Sequence, residues 1–482
     1  MKKIFSAFLS IMLMTSFAGV NHTHAEGDPD SSENVDNIIF LIPDGFSASH
    51  ATNYRHYKGE YTIFDETLVG MMQTTSADNR VTDSAAAGTA MATGVKTNNE
   101  MLGVDPDGNE LHSILKAATQ HGKASGLVAT STITHATPAA FAANVLSRES
   151  EAEIAPQLIG EVDVLLGGGK DFFLPEKEGG HHEDVNLIAE AEELGYTFIE
   201  NRDQLLGADS GKLLGLFAGE GMAPELDRDE AVEPSLAEMT EVAIESLRNN
   251  EDGFFLMVEG SQIDWASHAH DSPWILKDTE AFEAAVEAAV AFAEEDENTL
   301  VVIAGDHDTA GMSVGGYDEY ESNVDILHGV TATGDYMAEQ LDENRDNIAD
   351  VLQTYANIEP TDEELSVIAE AEEPNIAINR VISERAFVGF TSDAHTGVDV
   401  PLYAFGKHSE KFHGFLDNTD LPFLMAEAMG IDFDPYDNVQ EGGELPVTAT
   451  NSPTFALFGL VLALMSAGGL VYFRFTRKVK EE

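Results

Sequence analysis

Three short apolar runs, each followed directly by acidic residues or histidine, constrain the fold of this chain more than any other feature. The runs and the polar residues that follow them are residues 37–42 with Asp44, residues 254–258 with Glu259, and residues 300–304 with Asp306 and His307. Uninterrupted apolar runs of this length are typical of strands buried on both faces of a parallel sheet. Amphipathic helical patterns at residues 234–249 and 279–294 lie between the runs. The sequence therefore predicts an α/β fold, a doubly wound and mostly parallel sheet in an α/β/α sandwich.

The carboxyl ends of these predicted strands indicate a ligand site, because ligands bind beyond that edge in open α/β sheets. A single acid there is more often a loop cap, but three acids and a histidine at one edge favour a metal cluster. Asp264 and His268 are four residues apart, which places both on one face of a helix. His395 lies just before a further apolar run, residues 398–405. Asp and His side chains suit Zn²⁺, whereas carboxylates with hydroxyl oxygens suit Mg²⁺.

A helix start with a nucleophile is predicted at Asp83 and Ser84, which precede the small residues 85–92. Ser84 would lie in the first turn, where free backbone N–H groups and the helix dipole favour an anion. A hydroxyl there can attack phosphorus while the helix terminus holds a phosphate. The alternative is that Asp83 is an ordinary N-cap and that the small residues form a tight packing face.

Composition excludes several kinds of partner. The 482 residues include 86 acidic and 25 basic ones, for a formal charge of −61. Nucleic acid and anionic membrane surfaces would therefore find no basic face to bind. Such acidity suits a halophilic protein outside the cell, because about 1 M salt shortens the screening length to about 3 Å. With no cysteine in the chain, any metal must be held by His, Asp, Glu or hydroxyl oxygen.

The two ends of the chain are typical of targeting segments rather than of parts of the folded domain. Lys2 and Lys3 precede the apolar residues 4–20, and small residues at Thr23 and Ala25 are typical of signal-peptide cleavage. The uncharged residues 455–473 are about long enough to cross a bilayer, and a basic tail follows them. The predicted division is a signal peptide at 1–25, a folded domain at 26–433, a linker at 434–452, a membrane segment at 453–473 and a cytoplasmic tail at 474–482.

The linker contains the pentapeptide Leu-Pro-Val-Thr-Ala at residues 445–449. Together with the apolar segment and the basic tail, it resembles the cell-wall sorting signal of Gram-positive bacteria. In that signal a transpeptidase cuts after the threonine and links it to the wall. The usual last residue is glycine and here it is Ala449, so a plain C-terminal membrane anchor is the alternative. Either way, the folded domain is expected to be secreted and to face outward.

Between residues 37 and 405 the chain resembles the alkaline phosphatases in the order and spacing of its motifs. The matching segments are residues 42–45, Asp83-Ser84, residues 135–140 through Arg148, residues 258–268, residues 305–307 and residues 394–397. The resemblance implies that small phosphate monoesters are hydrolysed through a phosphoserine formed on Ser84. It also implies an alkaline phosphatase-like fold, a homodimer, and a crown-like helical insertion at about residues 310–390. Acidic helical patterns occur there at residues 336–353 and 362–372.

The resemblance further implies a set of ligands and phosphate contacts. The implied metal sites are a first zinc on Asp264, His268 and His395, a second zinc on Asp44, Asp306 and His307, and a magnesium on Asp44, Thr137 and Glu259. Arg148 is implied as the guanidinium that binds phosphate, which fits its planar, bidentate donors. Asp83 is expected to orient Ser84 or Arg148.

Two positions depart from the best-known enteric bacterial pattern. His135 stands where that pattern has aspartate and Trp265 where it has lysine, and both resemble the variants of cold-active marine members. The histidine, which animal members share, weakens the case for magnesium as the third ion. The tryptophan removes a phosphate contact, or its ring simply packs on the wall of the site.

Two other classes of function remain open from the sequence. One is a phosphodiesterase, phosphomutase or sulfatase of the same superfamily. The other is an inactive surface protein that binds phosphate. The Asp83-Ser84 pair with Arg148 favours phosphate monoesters, and the complete set of ligands argues against an inactive protein.

Overall fold

A computed structural model describes residues 34–437 of the chain. Between those residues, no helix is both long and apolar enough to cross a bilayer. The predicted signal peptide, sorting-like pentapeptide, membrane segment and basic tail all lie outside the described residues.

A ten-stranded sheet forms the centre of the fold, in the order β12-β2-β11-β8-β1-β7-β3-β4-β6-β5. All of its strands run in the same direction except β11, which is antiparallel to both neighbours. Two further strands, β9 and β10, form a short antiparallel pair. The strands are β1 Asn37–Pro43, β2 Leu68–Gln73, β3 Ala124–Thr132, β4 Val164–Gly168, β5 Thr197–Ile199, β6 Leu213–Leu216, β7 Phe254–Gly260, β8 Thr299–Ala304, β9 Asp308–Thr309, β10 His395–Thr396, β11 Val400–Gly406 and β12 Gly414–Asp417.

Helices cover both faces of this sheet. They are α1 Ala48–Lys58, α2 Ile63–Thr67, α3 Ser84–Thr93, α4 Ile114–Gln120, α5 Ala136–Ala139, α6 Glu151–Leu158, α7 Leu187–Glu193, α8 Arg202–Leu206, α9 Leu236–Leu247, α10 Gln262–His268, α11 Ser272–Glu295, α12 Gly334–Glu339, α13 Ile348–Tyr355, α14 Asp362–Glu370, α15 Pro374–Arg385 and α16 Leu421–Met429. Short 3₁₀ turns lie at Lys170–Phe173, Glu176–Glu178, Val324–Gly329 and Ser409–Phe412.

Alternate residues of the central strands face two separate cores. In β1, Ile39 and Leu41 join one core with α1, α9 and α11. Ile38, Phe40 and Ile42 join the other core with α3 to α7 and α16. The strands are therefore buried on both faces, which confirms the predicted α/β/α sandwich and its mostly parallel sheet.

The predicted helices occur with shifted ends. The pattern at residues 234–249 is α9, which begins after a capping box formed by Ser235 and Glu238. The pattern at 279–294 belongs to α11, which starts earlier, at Ser272, because the Asp271 side chain accepts a hydrogen bond from the N–H of Trp274. Gly167 and Gly168 complete strand β4.

The acidic pattern at residues 336–353 is two helices, α12 and α13, rather than one. In the segment between them, Asp342 accepts hydrogen bonds from the N–H groups of Asn344 and Asp346. Asn347 accepts one from the N–H of Asp342. Side chains that bond to nearby backbone in this way compete with helical hydrogen bonds, so the helix is interrupted there.

The small residues after Ser84 form the tight packing face that the sequence predicts. Every residue of α3 is buried. A Cβ placed on Gly88 would lie 3.1 Å from the Cβ of Ala140, at the end of α5, and 3.6 Å from the Cα of Thr137. The two helices therefore meet with little space between their backbones.

We expect Gly88→Val to destabilise the protein by about 1–3 kcal/mol, since a larger side chain in a packed core forces its neighbours apart. Thermal unfolding of the purified protein measures the effect. Ala284→Val, at an exposed position of α11, is the control for a valine in a helix; valine has a higher helix propensity than glycine, so propensity alone would not destabilise Gly88→Val. Equal losses of stability in the two variants would contradict a packing role for Gly88.

Candidate active site

The three acids predicted at strand ends do meet at one edge of the sheet. β1 lies between β7 and β8, with Ile42 paired to Glu259 and Leu41 paired to Ile303. Asp44, which follows β1, is therefore beside Glu259 at the end of β7 and Asp306 just beyond β8. All three side chains are fully buried.

The turn after Asp44 depends on a glycine. Gly45 has a φ of +73°, and a Cβ there would lie 2.7 Å from Thr309 Oγ1 and 2.9 Å from Asp264 Cα. Its N–H donates a hydrogen bond of 3.0 Å to Asp306 Oδ1. This hydrogen bond fixes the Asp306 carboxylate, whose other oxygen, Oδ2, lies next to His307 Nε2.

Ser84 lies against an inner group formed by Asp44, Asp306 and His307. His307 Nε2 is 3.4 Å from Asp44 Oδ1, 3.2 Å from Asp306 Oδ2 and 3.2 Å from Ser84 Oγ. One ligand atom from each member of the group lies within 4.8 Å of the others, so a single ion could contact all three beside the serine hydroxyl.

An outer group consists of Asp264 and His268 on α10 and His395 on β10. His268 Nε2 is 3.5 Å from Asp264 Oδ2, and His395 Nε2 is 3.5 Å from Asp264 Oδ1. The rings of His307 and His395 are stacked with their centroids 3.6 Å apart, which places the inner and outer groups side by side. Asp264, His307 and His395 also form a group within 4.8 Å.

The tautomers of the two outer histidines favour a bound cation. His268 Nδ1 donates to the carbonyl of Asp393 at 2.7 Å, and His395 Nδ1 donates to the carbonyl of Thr82 at 2.9 Å. A neutral imidazole that donates from Nδ1 has only a lone pair at Nε2, and the two Nε2 atoms are 3.1 Å apart. Two lone pairs that face each other repel, and a metal ion bound by both removes that repulsion.

A third group surrounds Asp44 on its other side. Asp44, Glu259 and His135 each offer a ligand atom within 4.8 Å of the others. The Thr137 hydroxyl is fully buried, and its Oγ1 has no hydrogen-bond partner in the part of the chain that the structure describes. The structure thus brings His135, predicted only as a substrate-binding or supporting residue, next to the acids expected to hold magnesium.

Ser84 is the first residue of α3, and Asp83 is its N-cap. Asp83 Oδ1 accepts from the N–H of Ala86 at 2.9 Å. Its Oδ2 accepts from the N–H of Glu100 at 2.9 Å and lies 3.4 Å from Arg148 Nη1. Asp83 therefore caps the helix and also contacts the arginine.

His135 links the arginine to Trp265. Arg148 Nη2 donates to His135 Nε2 at 3.0 Å, which the neutral imidazole accepts because burial and the nearby guanidinium lower the pKa of His135 to about 3. The rings of His135 and Trp265 meet edge to face at 5.8 Å. The Trp265 ring also packs against Gly221. A Cβ placed on Gly221 would be only 2.6 Å from Trp265 Cη2.

Burial and mutual repulsion raise the pKa values of the acids in the site. The pKa of Glu259 rises to about 7 and that of Asp306 to about 8, with burial as the largest cause in each. Burial, followed by the charges of Asp306 and Asp264, holds the pKa of Asp44 well above its usual range. Burial lowers the pKa of His307 well below its usual range. The site thus favours neutral acids unless a cation accompanies them.

Polar atoms with no partner at the centre of the site fit bound metal ions. Among the residues that the structure describes, the buried atoms without a hydrogen-bond partner here are both carboxylate oxygens of Asp44, Asp306 Oδ2, Glu259 Oε1, Thr137 Oγ1 and His135 Nδ1. Buried polar groups are normally satisfied, and the oxygen atoms among these are ligands of the kind that Zn²⁺ and Mg²⁺ bind.

Sequence reasoning missed three supporting residues. Thr309 donates through Oγ1 to Asp264 and lies 3.2 Å from His307 Nδ1. Ser131 donates to Glu259 Oε2 at 3.2 Å. Glu100 has a φ of +73° and accepts a hydrogen bond from the N–H of Arg148 through its carbonyl. Of the three, only Thr309 could have been suspected from the sequence, because it follows the predicted ligand His307 by two residues.

A serine at a helix start, an arginine and clustered carboxylates and imidazoles beyond a parallel sheet define a metal-binding hydrolase. The sequence profile of the alkaline phosphatase family matches residues 35–431, and the chain belongs to that family of phosphoric monoester hydrolases.

Relatives in sequence and structure agree with this assignment. Alkaline phosphatase 4 of Bacillus subtilis (strain 168) is 39% identical over 440 residues, which covers 86% of this chain and 94% of the relative. Alkaline phosphatase 3 of the same strain is 40% identical over 444 residues, with the same coverage. The crystal structure of a cold-active alkaline phosphatase from Shewanella sp. matches with a TM-score of 0.76 at 30% identity, covering 82% of this chain and 99% of that one.

We expect zinc binding to the metal-free protein at pH 7 to release about one proton or more per chain, because a metal-bound carboxylate must be ionised. The raised pKa values of Glu259 and Asp306 keep those groups partly or mostly protonated at that pH. For the same reason, zinc affinity should fall as the pH decreases from 8 to 6. A pH indicator in weakly buffered solution measures the release.

Asp306→Asn, which removes one titrating group, is the control and should release fewer protons. Zinc held only by surface carboxylates, which are already ionised at pH 7, would displace none. Binding of zinc without proton release would therefore contradict this account of the site.

Proposed function

We propose that this protein hydrolyses phosphate monoesters outside the cell through a phosphoserine intermediate on Ser84, with two zinc ions and one magnesium ion as cofactors. The observation that carries this proposal is the position of Ser84 Oγ, 3.2 Å from His307 Nε2 and at the first turn of α3. His307 belongs to two of the three candidate ion groups, and Asp44 links it to the third.

The residues around the serine suit a two-step displacement. In the first step Ser84 Oγ bonds to phosphorus and the bond to the ester oxygen breaks, so that an alcohol leaves. In the second step water bonds to phosphorus and the bond to Ser84 Oγ breaks, which releases inorganic phosphate. The free N–H groups of the first turn of α3 and the guanidinium of Arg148 bind the nonbridging oxygens.

Asp83 keeps these groups in place. Through its two carboxylate oxygens it contacts the first turn of α3, the backbone of Glu100 and the guanidinium of Arg148. Positioning of this kind is a large part of catalysis of phosphoryl transfer, since the reacting atoms must lie in line.

The ions implied by the family fit the donors in the site. Asp264, His268 and His395 would hold one zinc, and Asp44, Asp306 and His307 the other. Asp44, Thr137 and Glu259 would hold the magnesium. When bound, such ions neutralise the charge of the phosphoryl group and lower the pKa values of a hydroxyl and of water.

His135 bears on the identity of the third ion. It lies with Asp44 and Glu259 in one candidate group, but its Nε2 accepts a hydrogen bond from Arg148, so the proton of the neutral ring is on Nδ1. A protonated Nδ1 has no lone pair for a metal, so the third site relies on oxygen donors, which magnesium prefers. We therefore propose that the third site binds magnesium through Asp44, Thr137 and Glu259, and that zinc ligated by His135 would require the loss of its hydrogen bond from Arg148.

Attachment and assembly are also part of the proposal. We propose export by the signal peptide at residues 1–25 and attachment to the cell wall or membrane through residues 445–482. The homodimer and the crown formed by residues 310–390 are proposed on the family resemblance. The strongly acidic composition supports work in salty surroundings.

Ser84→Ala should lower kcat/KM for a chromogenic phosphate monoester by on the order of a thousandfold or more, because the nucleophile is lost. Metal content and thermal stability should stay at wild-type values. Ser366→Ala, at an exposed position of α14, is the control and should keep full activity.

The same assay tests the other classes of function. A faster reaction with a phosphate diester or a sulfate ester would assign the protein to another branch of the superfamily. Wild-type protein that binds phosphate but hydrolyses none of the three esters, with zinc and magnesium supplied, would be a binding protein. Activity that survives a chelator would refute the metal requirement.

Trp265→Lys should tighten inhibition by inorganic phosphate, because an ammonium group next to His135 and Arg148 adds a cation beside the bound anion. The inhibition constant of phosphate measures this effect. Trp265→Met removes the ring without adding charge and should leave inhibition weaker than in Trp265→Lys. Equal inhibition constants in the two variants would mean that a cation at position 265 does not contact the bound phosphate. The Trp265 ring would then act only as a wall of the site.

A further inference from the structure

We propose that His270 is a positioning residue that holds the segment carrying His395 against the helix carrying His268, through a hydrogen bond from its ring to the backbone of that segment. This inference rests on the proposed function, since it concerns the two histidines of the outer zinc site. His270 lies two residues beyond the end of α10 and is not one of the predicted ligands.

The His270 side chain is buried between α10 and the segment at residues 388–394. Its ring is stacked on Phe390, with centroids 4.6 Å apart and planes inclined by 1°. Its Nε2 is 2.9 Å from the carbonyl oxygen of Ser392. A carbonyl can only accept, so Nε2 carries the proton and donates it.

This contact is adjacent to both outer histidines. Asp393 follows Ser392, and its carbonyl accepts the hydrogen bond from His268 Nδ1. His395 follows two residues later and pairs in β10 with Thr309 of β9. A shift of this segment would therefore move the acceptor that orients His268 and the backbone that carries His395 at the same time.

The backbone of His270 is also held in place, which fixes the position from which its side chain extends. Its φ of +54° ends α10, and its N–H donates to the carbonyl of Ser267. Its own carbonyl accepts from Ser383 Oγ on α15 at 3.0 Å. Non-glycine residues enter this left-handed region at a cost in energy, so the conformation is maintained by these contacts.

The remaining contact of the ring is exposed and contributes less. Asp393 Oδ1 is 3.3 Å from His270 Nε2 and 3.4 Å from Arg380 Nη2, but the Asp393 side chain is 80% exposed. Exposed ion pairs contribute little. The buried hydrogen bond to Ser392 and the stacking on Phe390 are therefore the two interactions to separate by experiment.

Two substitutions separate them. His270→Phe keeps an aromatic ring that can stack on Phe390 but has no donor. His270→Gln has an amide N–H that can reach the Ser392 carbonyl but cannot stack. Zinc-loaded proteins are mixed with an excess of a colorimetric zinc chelator, and the release of zinc is followed over time.

We expect His270→Phe to release its faster-leaving zinc about tenfold faster than wild type, in the range of effects of partners that orient metal ligands. His270→Gln should stay close to the wild-type rate. Thermal unfolding of the metal-free proteins should show no larger loss in His270→Phe than in His328→Phe, because both substitutions preserve the ring and remove one hydrogen bond to a backbone carbonyl.

His328→Phe is the matched control. His328 stacks on Tyr57 with centroids 3.9 Å apart, and its Nε2 is 3.0 Å from the Tyr57 carbonyl. It has the same two kinds of contact as His270, at the far end of α1 from the site. Its zinc release should match that of wild type.

Unchanged release from His270→Phe would overturn the inference, as would equal acceleration in His270→Phe and His270→Gln. A loss of stability in the metal-free His270→Phe protein that exceeds the loss in His328→Phe and accompanies faster release would assign His270 to packing instead. Wild-type protein that binds no zinc would refute the proposed function as well. Zinc binding by wild type with unchanged release from His270→Phe refutes only the role of His270.

Discussion

Repulsion among buried carboxylates at the carboxyl edge of the sheet is the constraint on which the rest of the site depends. Asp44, Glu259 and Asp306 are fully buried and lie at the ends of three neighbouring strands, β1, β7 and β8. Taking an unaccompanied ion out of water costs several kcal/mol. Apolar cores on both faces fix the strands that carry the acids, so the acids cannot move apart to reach solvent. They must therefore bind either protons or cations.

The parts of the site that sequence could predict are those set by local pattern. A fully apolar run followed by an acid places that acid at a strand end, and neighbouring strand ends meet whatever the details of packing. Asp44, Glu259 and Asp306 were predictable for this reason. Ser84 was predictable because Asp83 is a good N-cap and because the small residues that follow are typical of a closely packed helix.

The parts that sequence could not predict depend on contacts between distant segments. The hydrogen bond from Arg148 to His135 and the edge-to-face contact of His135 with Trp265 join three separate regions of the chain. The left-handed backbone of Glu100 has no glycine to signal it. The direction of β11 was not predictable either, since an apolar run of its length fits a parallel or an antiparallel neighbour equally well.

Asp44 belongs to two of the candidate ion groups, one with Asp306 and His307 and the other with Glu259 and His135. Both of its oxygens lack hydrogen-bond partners among the described residues, so the carboxylate can bind one ion on each side. Occupancy of the two groups is then thermodynamically linked, because an ion bound on one side ionises and orients the carboxylate for the other. Loading of these two sites would follow a cooperative rather than an independent isotherm.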